Sequence, residues 1–182
     1  MVDVLRADIF RRSSLEGVAE IKQRSSVKIA MMAPVSRYNL RVGAAGIMEA
    51  GAAFGRALPV EACRANDAGD KAALWLGPDE WLLIGPDGFE MGQIAAPHSL
   101  VDVSHRQMAL EVSGTRVEDL LNTGVMLDLR LSPFPVGMCA RTLLGKAEVV
   151  LWRREAQRFQ VEVWRSFAPY VFEFLTQASK GL

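Results

Sequence analysis

The amino-acid sequence predicts an α+β fold: two βαββ-like halves, with helices covering one face of antiparallel sheets. Three observations predict it. Apolar and polar residues alternate over short runs, as in residues 37–42 and 108–112, which is the period of a half-buried strand. Two polar stretches, Gly-Pro-Asp-Glu at 77–80 and Arg-Arg-Glu-Ala-Gln at 153–157, each separate two such runs and read as hairpin turns. Finally, one order occurs twice: strand, helix, loop with a cysteine, then a hairpin whose first strand holds a Leu-Trp pair. Cys63 stands twelve residues before Trp75, and Cys139 thirteen before Trp152, so the chain reads as a weak internal duplication.

Residues 1–30 are charged, carry two Ser-Ser pairs and lack periodicity, so they read as an N-terminal arm. Residues 31–182 read as a single domain, with halves at about 31–97 and 98–182. In the first half, residues 43–58 are rich in small residues and predict a helix ended by Pro59. Gly46, Gly51 and Gly55 within it suggest close backbone packing, because glycine costs a helix roughly 1 kcal/mol relative to alanine. Strands at 72–76 and 81–85 follow, then a linker over 87–97 with two glycines and a proline. In the second half, Thr115 and Glu118 form a T-x-x-E capping box before Val117, Leu120 and Leu121. Gly124 ends that helix. A long loop with Pro133, Pro135 and Gly137 leads to strands at 148–152 and 158–164. Ser166 is placed to cap a last helix, with Pro169 tolerated in its first turn.

The chain has 182 residues, 50% of them hydrophobic and 23% charged, enough for a sizeable core. Formal net charge is zero, without the basic excess that nucleic-acid binding needs. Two cysteines, in no C-x-x-C pair and with no histidine at ligand spacing, support neither a disulfide framework nor a zinc site. The opening residues place acids and arginines where a signal peptide needs an apolar run. No stretch reaches the roughly 18 apolar residues of a membrane span. A soluble cytoplasmic protein is expected.

No constellation reads as a complete active site. Asp102, Ser104 and His105 could be written as a general base and its orienting acid. A triad also needs a nucleophile on an elbow, and G-x-S-x-G is absent; a serine and an aspartate capping a turn is the preferred reading. Cys63 and Cys139 read as small buried hydrophobes, and Asp79 with Glu80 as a solvated pair on a turn. The glycines spell no dinucleotide fingerprint, and Gly145-Lys146 lacks the upstream glycine of a phosphate loop. On the last helix, Phe167, Tyr170, Val171, Phe174, Leu175 and Ala178 share one face, read as core. Phe172 lies off that face. With Trp164 and Arg165 it forms the candidate partner interface, since tryptophan, aromatics and arginine are enriched at such surfaces.

Several of these segments carry a resemblance. D-V-S-H-R (102–106), L-E-V-S-G (110–114), F-P-V-G-M-C-A-R-T (134–142), L-G-K-A-E-V-V-L-W (144–152) and V-E-V-W-R-S-F-A-P-Y (161–170) closely resemble the gamma subunit of heterotetrameric sarcosine oxidase, as does A-L-W-L-G-P-D-E-W-L-L at 73–83. The resemblance spans about residues 36–175. That family is in turn similar to the folate-binding domain of the glycine-cleavage aminomethyltransferase, through Asp102 to His105, the V-x-G after the next strand and the leucine-rich helix. There an Asn-Asp-Val supplies a carboxylate to the folate chemistry; here the segment reads L-L-N-T-G-V (120–125), with Gly124 where the aspartate would stand.

The resemblance implies a non-catalytic subunit that binds no cofactor or metal itself and packs against alpha, beta and delta subunits. The complex so implied demethylates sarcosine oxidatively to glycine, produces peroxide, and passes the one-carbon unit to tetrahydrofolate. It uses FAD, FMN, NAD and zinc. Two other functions are compatible with these residues: a stand-alone folate-binding or one-carbon-transfer protein, and the equivalent subunit of a related N-methyl amino acid dehydrogenase.

Overall fold

Among the described residues, eleven strands form two antiparallel sheets, stacked face to face with helices on the outer side of each. A computed structural model describes residues 15, 21–23 and 26–182; the remainder of the N-terminal arm expected at 1–30 lies outside the described residues. The strands in chain order are β1 (Ile21–Gln23), β2 (Lys28–Met31), β3 (Ser36–Val42), β4 (Ala65–Ala68), β5 (Lys71–Gly77), β6 (Glu80–Gly85), β7 (His98–Asp102), β8 (Gln107–Ser113), β9 (Cys139–Leu144), β10 (Ala147–Glu155) and β11 (Arg158–Trp164). The helices are α1 (Ile47–Phe54), α2 (Val117–Asn122) and α3 (Ala168–Ala178). The final stretch of the expected arm contributes β1 and β2, and Leu15 is buried in the main core.

The two sheets have the same plan. One runs β4-β5-β6-β3-β7 and the other β9-β10-β11-β8-β2-β1. Strand, helix, strand and hairpin therefore repeat, with β3, α1, β4, β5 and β6 matched by β8, α2, β9, β10 and β11. The strand that precedes each repeat crosses to the other: β2 leads into β3 yet pairs with β8, and β7 leads into β8 yet pairs with β3. The halves are thus interlocked by an exchange of strands.

Neither the cysteines nor the tryptophans are equivalent in this repeat: Cys139 pairs with Trp152 as Ala65 pairs with Leu74, and Cys63 lies before β4. The Cys139 N–H donates to the Cys63 carbonyl at 2.9 Å, beside a bridge between Arg64 and Met138 that joins the ends of the two sheets. Trp75 packs on the helix-covered face with Leu40 and Trp81, whereas Trp152 lies between the sheets with Leu74 and Cys139. Trp152 takes the place of Leu74, and Trp75, one residue further along its strand, faces the other way because side chains alternate faces.

Three cores follow from the layering. Between α1 and its sheet lie Leu40, Ala50, Phe54, Trp81 and Leu83. Between α2, α3 and the other sheet lie Leu110, Leu120, Leu151, Phe159, Val171 and Phe172, among others. The third core separates the sheets and includes Ile84, Val103, Val150 and Trp152.

Between the sheets there is also a buried ion pair. Arg37 on β3 donates from Nε to Glu162 Oε2 at 2.6 Å and from Nη2 to Oε1 at 3.1 Å. Each residue is 1% exposed. Gln160 adds a hydrogen bond to Glu162 Oε1 at 2.6 Å, and the Arg37 Nη1 donates to the Val35 carbonyl at 3.2 Å. The fork of arginine matches the carboxylate with two bonds, the strongest form of such a pair.

Several terminal signals resolve differently from the sequence expectation. The first helix ends at Phe54, before Pro59, because Gly55 takes a left-handed conformation at φ 79° that closes the last turn. The T-x-x-E box does not form: α2 has no side-chain cap, and Glu118 instead accepts a bond at 2.7 Å from the guanidinium of Arg153, a fully buried cation that needs a partner. Ser166 does not cap α3, which begins after Phe167. Strands β4, β7 and β9, expected only as loop or turn, complete the sheets through backbone pairing.

Removing one member of the central pair leaves the other buried and uncompensated. Arg37→Met is expected to cost about 3–5 kcal/mol, and the double variant Arg37→Met/Glu162→Leu to recover much of it. Urea unfolding midpoints of the two variants check this; equal losses in both would refute the assignment.

Candidate functional site

The Asp102–Arg106 motif is a structural turn. Asp102 Oδ1 accepts the Ser104 N–H at 2.8 Å, and Ser104 Oγ accepts the Arg37 N–H at 2.8 Å. Ser104 is 6% exposed, so its hydroxyl is committed to the backbone of β3 and is not presented to a substrate. His105 is exposed at the tip of the turn. The motif therefore serves to hold the crossover from β7 to β8 against Arg37, next to the buried pair.

The two cysteines divide in role. Cys139 is buried, and its thiol lies 3.5 Å from the Trp75 carbonyl. Burial, reinforced by the neighbouring Cys63 thiol, pushes the Cys139 thiol up to about 12, so it is a neutral core group at ordinary pH. Cys63 is only half-buried, in contrast to the expected core position, and has a positive φ of 59°. Asp79 is solvated as expected and pairs with Arg41. Glu80 is drawn into the fold: burial pushes its carboxyl upward, but bonds from Asn39 and Arg141 outweigh this and hold it below the usual range.

Gly124 has no room for a side chain. An ideal Cβ there would lie 2.7 Å from Cε1 of Phe174 and 3.1 Å from the Gly145 nitrogen, whose N–H donates to the Gly124 carbonyl at 2.9 Å. Close approach of two backbone segments and a ring explains the glycine. A side chain at this position requires the Phe174 ring to shift. Among the described residues, no group of three or more His, Cys, Asp or Glu is placed to hold a metal, and no helix is long and apolar enough to cross a membrane.

The aromatic residues are redistributed relative to the sequence reading. Phe172 is 2% exposed and belongs to the core, so it presents nothing to a partner in this structure. The buried face of α3 is Ala168, Val171, Phe172 and Leu175, at three- and four-residue spacing. Phe167 and Tyr170, assigned to the core face from the sequence, are 42% and 37% exposed. The reason is phase: the helix starts at Ala168, whose small side chain packs against the sheet, and that rotates the apolar stripe by about one residue.

Trp164 is 38% exposed, its ring 6.3 Å from that of Phe167, with the Arg106 guanidinium 4.7 Å from its centroid. Tyr170 continues the surface, 6.1 Å from Phe174, and its hydroxyl accepts the Lys146 N–H. Arg165 is half-buried beside Trp164. The strongest surface feature is thus an aromatic row, Trp164, Phe167 and Tyr170, rimmed by Arg106. Aromatic and arginine side chains carry much of the energy at protein interfaces. Sequence reasoning found Trp164 and missed Phe167 and Tyr170; the small Ala168 before Pro169 was the available signal for the helix phase.

The architecture defines the class first: an α+β protein folded like the aminomethyltransferase folate-binding domain. The chain superposes on the glycine cleavage system aminomethyltransferase T of Bartonella henselae with a TM-score of 0.57 at 10% identity, covering 84% of this chain and 46% of that one. At that identity the likeness concerns the fold alone. A chain of the heterotetrameric sarcosine oxidase from Corynebacterium sp. U-96, solved in complex with pyrrole 2-carboxylate, matches with a TM-score of 0.82 at 25% identity over 93% of this chain and 95% of that one. Residues 42–181 match the sarcosine oxidase gamma subunit family. The sarcosine oxidase subunits gamma of Corynebacterium sp. strain P-1 and of an Arthrobacter species are 30% and 29% identical, covering 92% and 96% of this chain and 89% and 93% of theirs. The chain belongs to the sarcosine oxidase gamma subunit family.

The contrast between the cysteines sets an expected labelling order. An alkylating thiol reagent at neutral pH should modify Cys63 first, and Cys139 only at the rate of global unfolding, because the thiolate is the reactive form. Peptide mass spectrometry of native and urea-unfolded protein checks it. Equal native labelling of both would contradict the core assignment.

Proposed function

We propose that the chain is the non-catalytic gamma subunit of a heterotetrameric sarcosine oxidase. The observation that carries this reading is the whole-length likeness, at a TM-score of 0.82, to a chain of such an enzyme. In this reading the complex is a cytoplasmic assembly with alpha, beta and delta subunits. It demethylates sarcosine to glycine, produces peroxide and passes the one-carbon unit to tetrahydrofolate. FAD, FMN, NAD, zinc and the folate belong to its other subunits. Two features support a non-catalytic role for this chain. The space between the sheets is occupied by packed side chains and by the Arg37–Glu162 pair. Gly124 also stands where a folate enzyme has its acid, with Phe174 against it.

The aromatic row suits the subunit role. Exposed tryptophan, phenylalanine and tyrosine beside an arginine gain most when a partner removes them from water. Of the interface residues read from the sequence, Trp164 and Arg165 remain in the proposal, joined by Phe167 and Tyr170.

Co-expression with the flavoprotein and other products of the adjoining genes tests the reading. The expected result is a single complex that consumes oxygen with sarcosine, and that fails to assemble or loses activity when this chain is left out. A chain that stays monomeric beside those products sinks the proposal. Within a complex that does form, Trp164→Ala should weaken association by about tenfold or more. It should leave the urea midpoint of the isolated chain nearly unchanged, since Trp164 lies at the surface.

A further inference from the structure

The repeated plan of the sheets is broken at one end. Read outward from the joined strands β4 and β9, the sheets run β4-β5-β6-β3-β7 and β9-β10-β11-β8-β2-β1. The exchanged strands β7 and β2 occupy the same place in the two halves. The outer edge of β2 is covered by β1, paired antiparallel through Ile21 with Ala30, Lys22 with Ile29 and Gln23 with Lys28. Among the described residues, no strand pairs with the outer edge of β7.

Strand β7 also has an unusual surface for a sheet strand. Of its five residues only Leu100 is half-buried; His98, Ser99, Val101 and Asp102 are exposed. Val101 is 51% exposed. The register of β7 on β3 places Asn39 opposite Val101 and Arg41 opposite Ser99, and the Val103 N–H donates to the Arg37 carbonyl. In an antiparallel ladder the bonded positions alternate, so residues 99 and 101 bond inward to β3. The N–H and C=O of His98 and Leu100 therefore face outward. An edge with outward backbone groups, no proline within it and no lysine is a template for strand addition.

We propose that the outer edge of β7 receives an extended segment of another subunit of the assembly, added antiparallel in the place that β1 occupies on β2. The proposal rests on the reading that this chain works inside a heteromeric complex. Main-chain hydrogen bonds to His98 and Leu100 hold the added strand, and Val101 supplies the apolar contact on the sheet surface. The arm of this chain is not the chosen occupant: Leu15 is buried on the far face of the other sheet, with Ile29, Val112 and Phe159, and β1 is already placed at the edge of β2.

Amide hydrogen exchange on the full chain, alone and in the purified complex, tests this. The Leu100 amide should exchange at least about tenfold more slowly in the complex than in the isolated chain. His98→Pro removes one outward N–H at the first residue of an edge strand, where proline is tolerated. It should weaken assembly while leaving the unfolding midpoint of the isolated chain unchanged. A complex that forms with the Leu100 amide equally exposed overturns the edge proposal and leaves the subunit reading standing. If no complex forms, both fall. Protection in the isolated chain that rises with concentration would assign the edge to a second copy. Protection independent of concentration would assign it to this chain's own residues. Either result overturns the proposal.

Discussion

The Arg37–Glu162 pair is the interaction on which the relation of the two sheets depends. Two ions with almost no solvent exposure can persist only with good geometry and further hydrogen bonds, and both are present: a two-bond fork at 2.6 and 3.1 Å, a third donor from Gln160, and the Val35 carbonyl. The pair fixes β3 against β11 across the layer. Ser104, bonded to the Arg37 backbone, fixes the crossover from β7 to β8 at the same point. The strand exchange runs through this crossover, so one polar cluster pins both halves where the chain passes between them. An apolar contact would bind as well but would tolerate sliding; a buried fork does not.

That arrangement shapes what the protein can do. The layer where a ligand could enter between the sheets is filled by Cys139, Val150, Trp152 and their neighbours at one end and by the ion pair further along. On the helix side, the Phe174 ring packs against Gly124. The proposed recognition features lie on the surface: an aromatic row at the start of α3 and the backbone edge of β7.

Much of the fold was legible in local pattern. Strands β3, β5, β6, β8, β10 and β11 have alternating or apolar runs and turn residues between them, and each was expected within a residue or two except for the longer β10. Strands β4, β7 and β9 were not, because their residues carry a weak pattern and their existence depends on backbone pairing with partners distant in sequence. The surface of α3 was misread for a related reason. Its aromatics occur on every side of the helix, and which of them is buried depends on the phase set by Ala168 against the sheet, a tertiary fact.

By itself, the sequence determined the class of fold, its division into two similar halves and the family resemblance over about residues 36–175. Those properties are written in periodicity, turn chemistry and motif, which act over a few neighbouring residues. Only the tertiary structure decided that the leading strands are exchanged between halves, that Arg37 meets Glu162, that Cys139 and Trp152 take the places of Ala65 and Leu74, and that Phe172 is core while Phe167 and Tyr170 are surface. Each of these is a contact between residues far apart in the chain, or a choice of face. Alternation along a strand leaves that choice open until another layer packs against it.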